Sequence, residues 1–103
     1  MQQNINDIIK SQLTNNRVVL YMKGSPLLPQ CGFSAKVVQV LNKCGAHDFF
    51  YVDVLDDDAI RQGIKEFTHW PTIPQLYIDG EFIGGCDIVT QLYENGELQK
   101  LLE

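Results

Sequence analysis

The amino-acid sequence predicts an α/β protein in which helices cover both faces of a mixed four-stranded sheet. Three observations predict it. A continuous apolar, β-branched run, Val18 to Met22, and a second apolar strand pattern, Phe49 to Val54, bracket a segment of helical period, the pattern of a β-α-β unit. Two shorter apolar runs then flank Asp79-Gly80-Glu81, a hairpin signal. Segments of helical spacing precede, separate and follow these strands.

Ile5, Ile8, Ile9 and Leu13 recur at helical spacing, so residues 4–15 read as an amphipathic helix ending near Asn15-Asn16. Val18 to Met22 suits a strand buried on both faces. Residues 23–30 contain Gly24, Pro26 and Pro29 and read as a loop. Phe33, Val37, Val38, Val40, Leu41 and Cys44 share one helical stripe, and Gly45 is placed as its C-terminal stop. Phe49 to Val54 is the second strand. Residues 57–67 read as a third helix, with Ile60, Ile64 and Phe67 on one side. Trp70-Pro71-Thr72-Ile73-Pro74, with two prolines, excludes regular helix. Gln75 to Ile78 and Phe82-Ile83 form the hairpin, which ends at Gly84-Gly85. Residues 87–94 and 97–102 read as short helices broken at Asn95-Gly96. The β-α-β start implies two parallel strands and a right-handed crossover, and the hairpin adds two antiparallel strands. That order is a thioredoxin-like arrangement.

The length of 103 residues suits one domain, 1–103, with one hydrophobic core. A net charge of −5 argues against nucleic acid, whose phosphates attract a basic surface. Asp56-Asp57-Asp58 reads as a helix N-terminus, where carboxylates meet unpaired N–H groups, rather than a metal site. No segment approaches the ~20 apolar residues that span a bilayer. The N-terminus resembles neither a signal nor a transit peptide, so the cytoplasm is the expected location. Three cysteines, Cys31, Cys44 and Cys86, at spacings of 13 and 42, match neither zinc-ligand spacing nor a secreted disulfide framework.

The sharpest chemical signal is Cys31-Gly32-Phe33-Ser34, set after Lys23-Gly24-Ser25-Pro26. Cys-x-x-Cys can close its own disulfide; Cys-x-x-Ser cannot, so this thiol finishes its chemistry with something outside the motif. A Cys in the first turn of a helix faces unpaired N–H donors and the positive end of the dipole, which favour the thiolate. Lys23 adds positive charge if the loop folds back. A thiolate serves as nucleophile or metal ligand, and the residues alone do not separate the two. Cys44 lies on an apolar stripe and reads as a small buried hydrophobe. Cys86 and Asp87 stand at a helix N-terminus after two glycines; Cys86 reads equally as packing or as a ligand contact. It is also a candidate distant resolving thiol for Cys31, provided the two Cα atoms lie within ~7 Å.

On these residues the chain resembles the monothiol glutaredoxins, the class with a Cys-Gly-Phe-Ser active site. Four blocks carry the resemblance in order: Met22 to Pro26, Cys31 to Ser34, Trp70 to Tyr77, and Gly84 to Val89. It runs from residue 5 to residue 102, and the short length is similar to the bacterial or mitochondrial single-domain type.

The resemblance implies a glutathione site. Lys23 and Arg61 would hold the glycyl carboxylate. The backbone of Ile73, before a cis Pro74, would pair with the cysteinyl part. Gly85, Cys86 and Asp87 would hold the γ-glutamyl end, and Phe33 would lie beside the thiol. Glutathione carries two carboxylates and one ammonium, and these positions offer two cations, backbone donors and one carboxylate. Arg61 alone reads also as part of a solvated helix face, and Trp70 as packing that supports the proline turn.

The resemblance further implies a 2Fe–2S cluster shared between two protomers, with Cys31 of each and two glutathione thiols making up four ligands. Implied partners are a second copy of the chain, a BolA-like protein and apo iron–sulfur proteins. The five residues Pro26 to Gln30 depart from dithiol relatives and stand where they would control the approach of a partner. Three functions compete: a cluster carrier, a monothiol oxidoreductase that removes glutathione from protein thiols, and an iron-sensing adaptor paired with a BolA-like protein.

Overall fold

The computed structural model describes residues 4–103, and the sequence reading at residues 1–3 lies outside them. Nine elements follow in order: α1 Ile5–Asn15, β1 Val18–Met22, α2 Gly32–Lys43, β2 Phe50–Asp53, α3 Asp58–Thr68, β3 Gln75–Ile78, β4 Glu81–Gly84, α4 Cys86–Glu94 and α5 Glu97–Leu102. The sheet order is β2-β1-β3-β4. β1 runs parallel to β2, with Leu20 opposite Tyr51, and antiparallel to β3, with Leu20 opposite Leu76. The hairpin turn places Asp79 and Gly80 at φ of 53° and 80°, the mirror-image turn that Asp-Gly favours.

Strand alternation splits the core in two. Leu20 and Met22 of β1, with Leu76 and Ile78 of β3, meet Val37, Val38, Val40 and Leu41 of α2, Val89 of α4 and Leu98 of α5. Val19, Tyr21 and Tyr77 point the other way, to Ile9 and Leu13 of α1 and Ile60 and Ile64 of α3. β1 is therefore buried on both faces, as its unbroken apolar run predicts. β2 is shorter than its sequence pattern. It lies at the sheet edge, where Phe50 and Tyr51 are exposed.

Caps set the helix ends. Asn4 accepts from Asn6 N at 2.7 Å and starts α1. Asp57 accepts from Ile60 N at 3.1 Å and starts α3, so the acidic run is a helix start. Gly45 follows α2 at φ 80°. Cys44 is half-buried against the α2 side of the core, and burial pushes its thiol up. No helix among the described residues is long and apolar enough to cross a membrane.

Candidate functional site

β1 delivers Lys23 to a loop that closes on itself. Gln30 N donates to Lys23 O at 2.9 Å, and Leu28 N to Ser25 O at 3.0 Å. Gly24 N donates to Asp53 Oδ1 at 2.9 Å, which ties the loop to the end of β2. Leu27 and Leu28 stand at its tip, 97% and 67% exposed. The closed loop brings the chain back beside Lys23 and sets Cys31 as the N-cap of α2 in extended conformation.

The neutral Cys31 thiol closes no cap hydrogen bond. Ionised, its sulfur gains the backbone N–H of Ser34 first, then that of Phe33, the Lys23 charge and the Ser34 hydroxyl. Partial burial opposes these, and the net effect holds the thiol below its ordinary value. Ser34 is fully buried, and its hydroxyl accepts from Lys23 N at 3.1 Å. The position that would carry a second redox thiol instead fastens α2 to the end of β1.

Cys31, Lys23 and Phe33 form one side of a cavity of about 710 Å³. Phe33 shares the spacing of the α2 core stripe, yet it is 63% exposed: it stands a turn before Val37, at the cavity rather than in the core. Gly85, Cys86, Asp87 and Ile88 form a second side. Asp87 lies in the exposed first turn of α4.

Trp70 to Pro74 form the third wall. His69, left-handed at φ 57°, ends α3 and turns the chain into it. The Ile73–Pro74 bond is cis. Trp70 supports the turn, its indole tilted on Phe82 at 5.5 Å, and it also lines the cavity. Its Nε1 is buried with no partner among the described residues. The glycine at 85 permits this packing, since a Cβ there would stand 3.3 Å from both Pro74 O and Trp70 Nε1.

The cavity thus gathers Lys23, Cys31, Phe33, Ile73, Pro74, Gly85, Cys86 and Asp87, but Arg61 is not in its lining. Lys65, one helical turn further along α3 and nearer the wall, is the α3 cation that lines it. Sequence reasoning missed Lys65; its i+4 spacing from Arg61 was the available signal. Cys31 and Cys86 line the same cavity as free thiols. No group of three His, Cys, Asp or Glu side chains among the described residues could hold a metal ion. A second cavity, of about 600 Å³, lies at the other end of β1 beside Arg17 and Asp79 and contains no thiol.

In chemical terms the main cavity presents one activated thiol, two lysines and one exposed carboxylate along an apolar floor. That set complements a short zwitterionic ligand carrying more than one carboxylate and a thiol or disulfide.

The glutaredoxin family pattern matches residues 18–83. A protein described as a ycf64-like monothiol glutaredoxin from Synechocystis sp. is 58% identical over 95 residues, which are 92% of this chain and 88% of that protein. The solution structure of reduced poplar apo GrxS14 is similar with a TM-score of 0.82 at 49% identity, over 95% of this chain and 89% of that one. A crystal structure of a buckwheat glutaredoxin–glutathione complex is similar with a TM-score of 0.83 at 25% identity, over 95% of this chain and 86% of that one. With its lone thiol before Gly32-Phe33-Ser34 and its cis Pro74 wall, the chain belongs to the glutaredoxin family, in its monothiol class.

Proposed function

We propose that this chain binds glutathione along the Cys31 cavity and that two chains together carry a 2Fe–2S cluster as cargo, passing it to apo-proteins. The observation that carries the reading is the donor set. Each chain offers one activated, reachable thiol at Cys31, and no cluster of three metal-ligating side chains stands among the described residues. Two chains then supply two Cys31 thiolates, and two outside thiols complete the four ligands. Glutathione suits the second role, because the same cavity offers Lys23, Lys65 and Asp87 to its charged ends. The likeness to a glutaredoxin solved with glutathione supports this part. A cargo held by so few protein bonds is also readily released, which a carrier requires. A BolA-like protein in place of the second chain is part of the same proposal.

Anaerobic reconstitution with iron, sulfide and glutathione tests it. A coloured dimer that forms only with glutathione is the expected product. A colourless monomer under all conditions removes the carrier reading. It would leave the second reading, which the activated thiol without a local partner also favours: a monothiol oxidoreductase. Its thiolate takes glutathione from a protein mixed disulfide, freeing the protein thiol, and a second glutathione thiolate then releases Cys31 as glutathione disulfide leaves. Turnover of a glutathionylated protein that is lost in Cys31→Ser is the mark of that reading.

A further inference from the structure

The Trp70–Pro74 wall is held by one buried amide. Gln75, the first residue of β3, is fully buried. Its Nε2 donates to Trp70 O at 3.1 Å and to Thr72 O at 3.3 Å, one carbonyl on each side of Pro71. Its Oε1 accepts from Tyr77 OH at 3.0 Å. The Thr68 hydroxyl lies 3.2 Å from the same oxygen and 2.8 Å from Ile64 O, and its one proton serves one of them at a time. That hydroxyl also accepts from Trp70 N at 3.2 Å.

Both donors of the amide are engaged here, and its oxygen accepts from Tyr77 and shares the Thr68 proton with Ile64 O. The reversed orientation would aim the oxygen at two carbonyls, so the network admits one arrangement. Pro71 and Pro74 have no N–H, so two of the five wall residues cannot fasten their own backbone by donation. The fastening comes from the side chain that follows them.

We propose that Gln75 is a positioning residue for the ligand, fixing the wall backbone that faces glutathione beside Cys31. The inference rests on the glutathione reading above. It adds a residue outside the cavity lining that acts through Trp70, Thr72 and Ile73.

The test is the exchange of Cys31 with glutathione disulfide in the full chain. The Cys31 thiolate attacks the disulfide, a new S–S bond forms at Cys31, the old one breaks, and the departing glutathione thiolate takes up a proton. Mass spectrometry with peptide mapping at fixed ratios of reduced to oxidised glutathione gives the equilibrium constant. In Gln75→Met, which keeps the length and loses both donors, this constant falls about tenfold. In Arg17→Ala, which loses hydrogen bonds at the other end of β1, it stays within about twofold. A Gln75→Met constant equal to wild type, or an equal fall in Arg17→Ala, overturns the proposal. Tyr77→Phe, which removes only the hydroxyl bonded to Gln75 Oε1, serves if Gln75→Met does not fold: a smaller fall in the same constant is expected, and an unchanged constant overturns the proposal.

A wild-type constant no larger than that of the chain in denaturant would sink the glutathione reading itself. The wall is then read without ligand through Trp70, the only tryptophan. A shifted emission and greater acrylamide quenching in Gln75→Met, absent in Arg17→Ala, support positioning by Gln75. Unchanged emission in both overturns it.

Discussion

Replacing Gly24 with Ala places a Cβ 2.6 Å from Leu28 O and 2.7 Å from Gln30 N. Both are backbone atoms, so no rotamer change relieves the contact. Gly24 also sits at φ 89°, where an L residue costs about 1 kcal/mol. Relief means opening the loop and losing the Gln30 N to Lys23 O bond and its neighbours, at about 1 kcal/mol each. The total is about 2–4 kcal/mol. For a domain of this size that lowers Tm by roughly 10–25 °C. Gly45 supplies the control, because it has φ 80° with nothing within 4 Å of an added Cβ. Gly45→Ala therefore meets only the backbone cost, about 1 kcal/mol. Urea unfolding followed by Trp70 fluorescence measures both, with m unchanged. The same loop sets Lys23 and Cys31, so the pH midpoint of Cys31 alkylation rises in Gly24→Ala and not in Gly45→Ala. Equal destabilisation by the two substitutions, within about 0.5 kcal/mol, would refute the argument from loop closure.

Four further outcomes are expected. Lys23→Gln removes a cation that favours the thiolate, so the midpoint of Cys31 alkylation by iodoacetamide moves to higher pH. Because folding lowers the Cys31 pKa, the thiolate contributes stability that is complete above the ordinary value of 9.0 and lost as pH falls through the folded value. The stability gap between wild type and Cys31→Ser therefore widens with rising pH and then levels, as urea titrations at several pH values would show. Arg17 donates to Leu102 O and Leu101 O at 3.0 Å and holds the end of α5, so Arg17→Ala costs about 1–2 kcal/mol. Its exposed pairing with Asp79 matters little, and Asp79→Asn changes stability by less than about 0.5 kcal/mol in the same unfolding assay. Asp53 Oδ1 accepts from both Gly24 N and Leu55 N, so Asp53→Ala loses about 2 kcal/mol. Asp53→Asn, which keeps an oxygen there, loses less than half of that by denaturant midpoint.

The fold was legible wherever a local pattern carried it. The unbroken Val18–Met22 run announced a strand covered on both sides, and Asp79-Gly80 announced the hairpin. Asp57 announced the start of α3 through ordinary capping chemistry. The site was legible at Cys31, because a helix-start thiol without a partner three residues on is a local signal. What escaped depends on contacts distant in sequence. Whether Arg61 or Lys65 reaches the cavity is set by where α3 ends relative to the Trp70–Pro74 wall, and both lie on one helical face. For Phe33 the spacing pointed to the core and the family resemblance to the thiol, and the extent of the core decides for the cavity. Gln75 looked like the polar start of a strand. Its role emerges once Trp70, Thr72 and Tyr77 converge on it. Ser34 likewise looked like a missing cysteine, and its bond to Lys23 N required β1 and α2 to meet.

In the proposed assembly each chain gives the cluster one ligand, Cys31, and glutathione completes the set. Native mass spectrometry of the anaerobically reconstituted protein tests it most directly. The expected species has two chains, one 2Fe–2S unit and two glutathione molecules, and is absent in Cys31→Ser. A cluster-bearing species without glutathione, or a Cys31→Ser protein that keeps its full cluster, would contradict it.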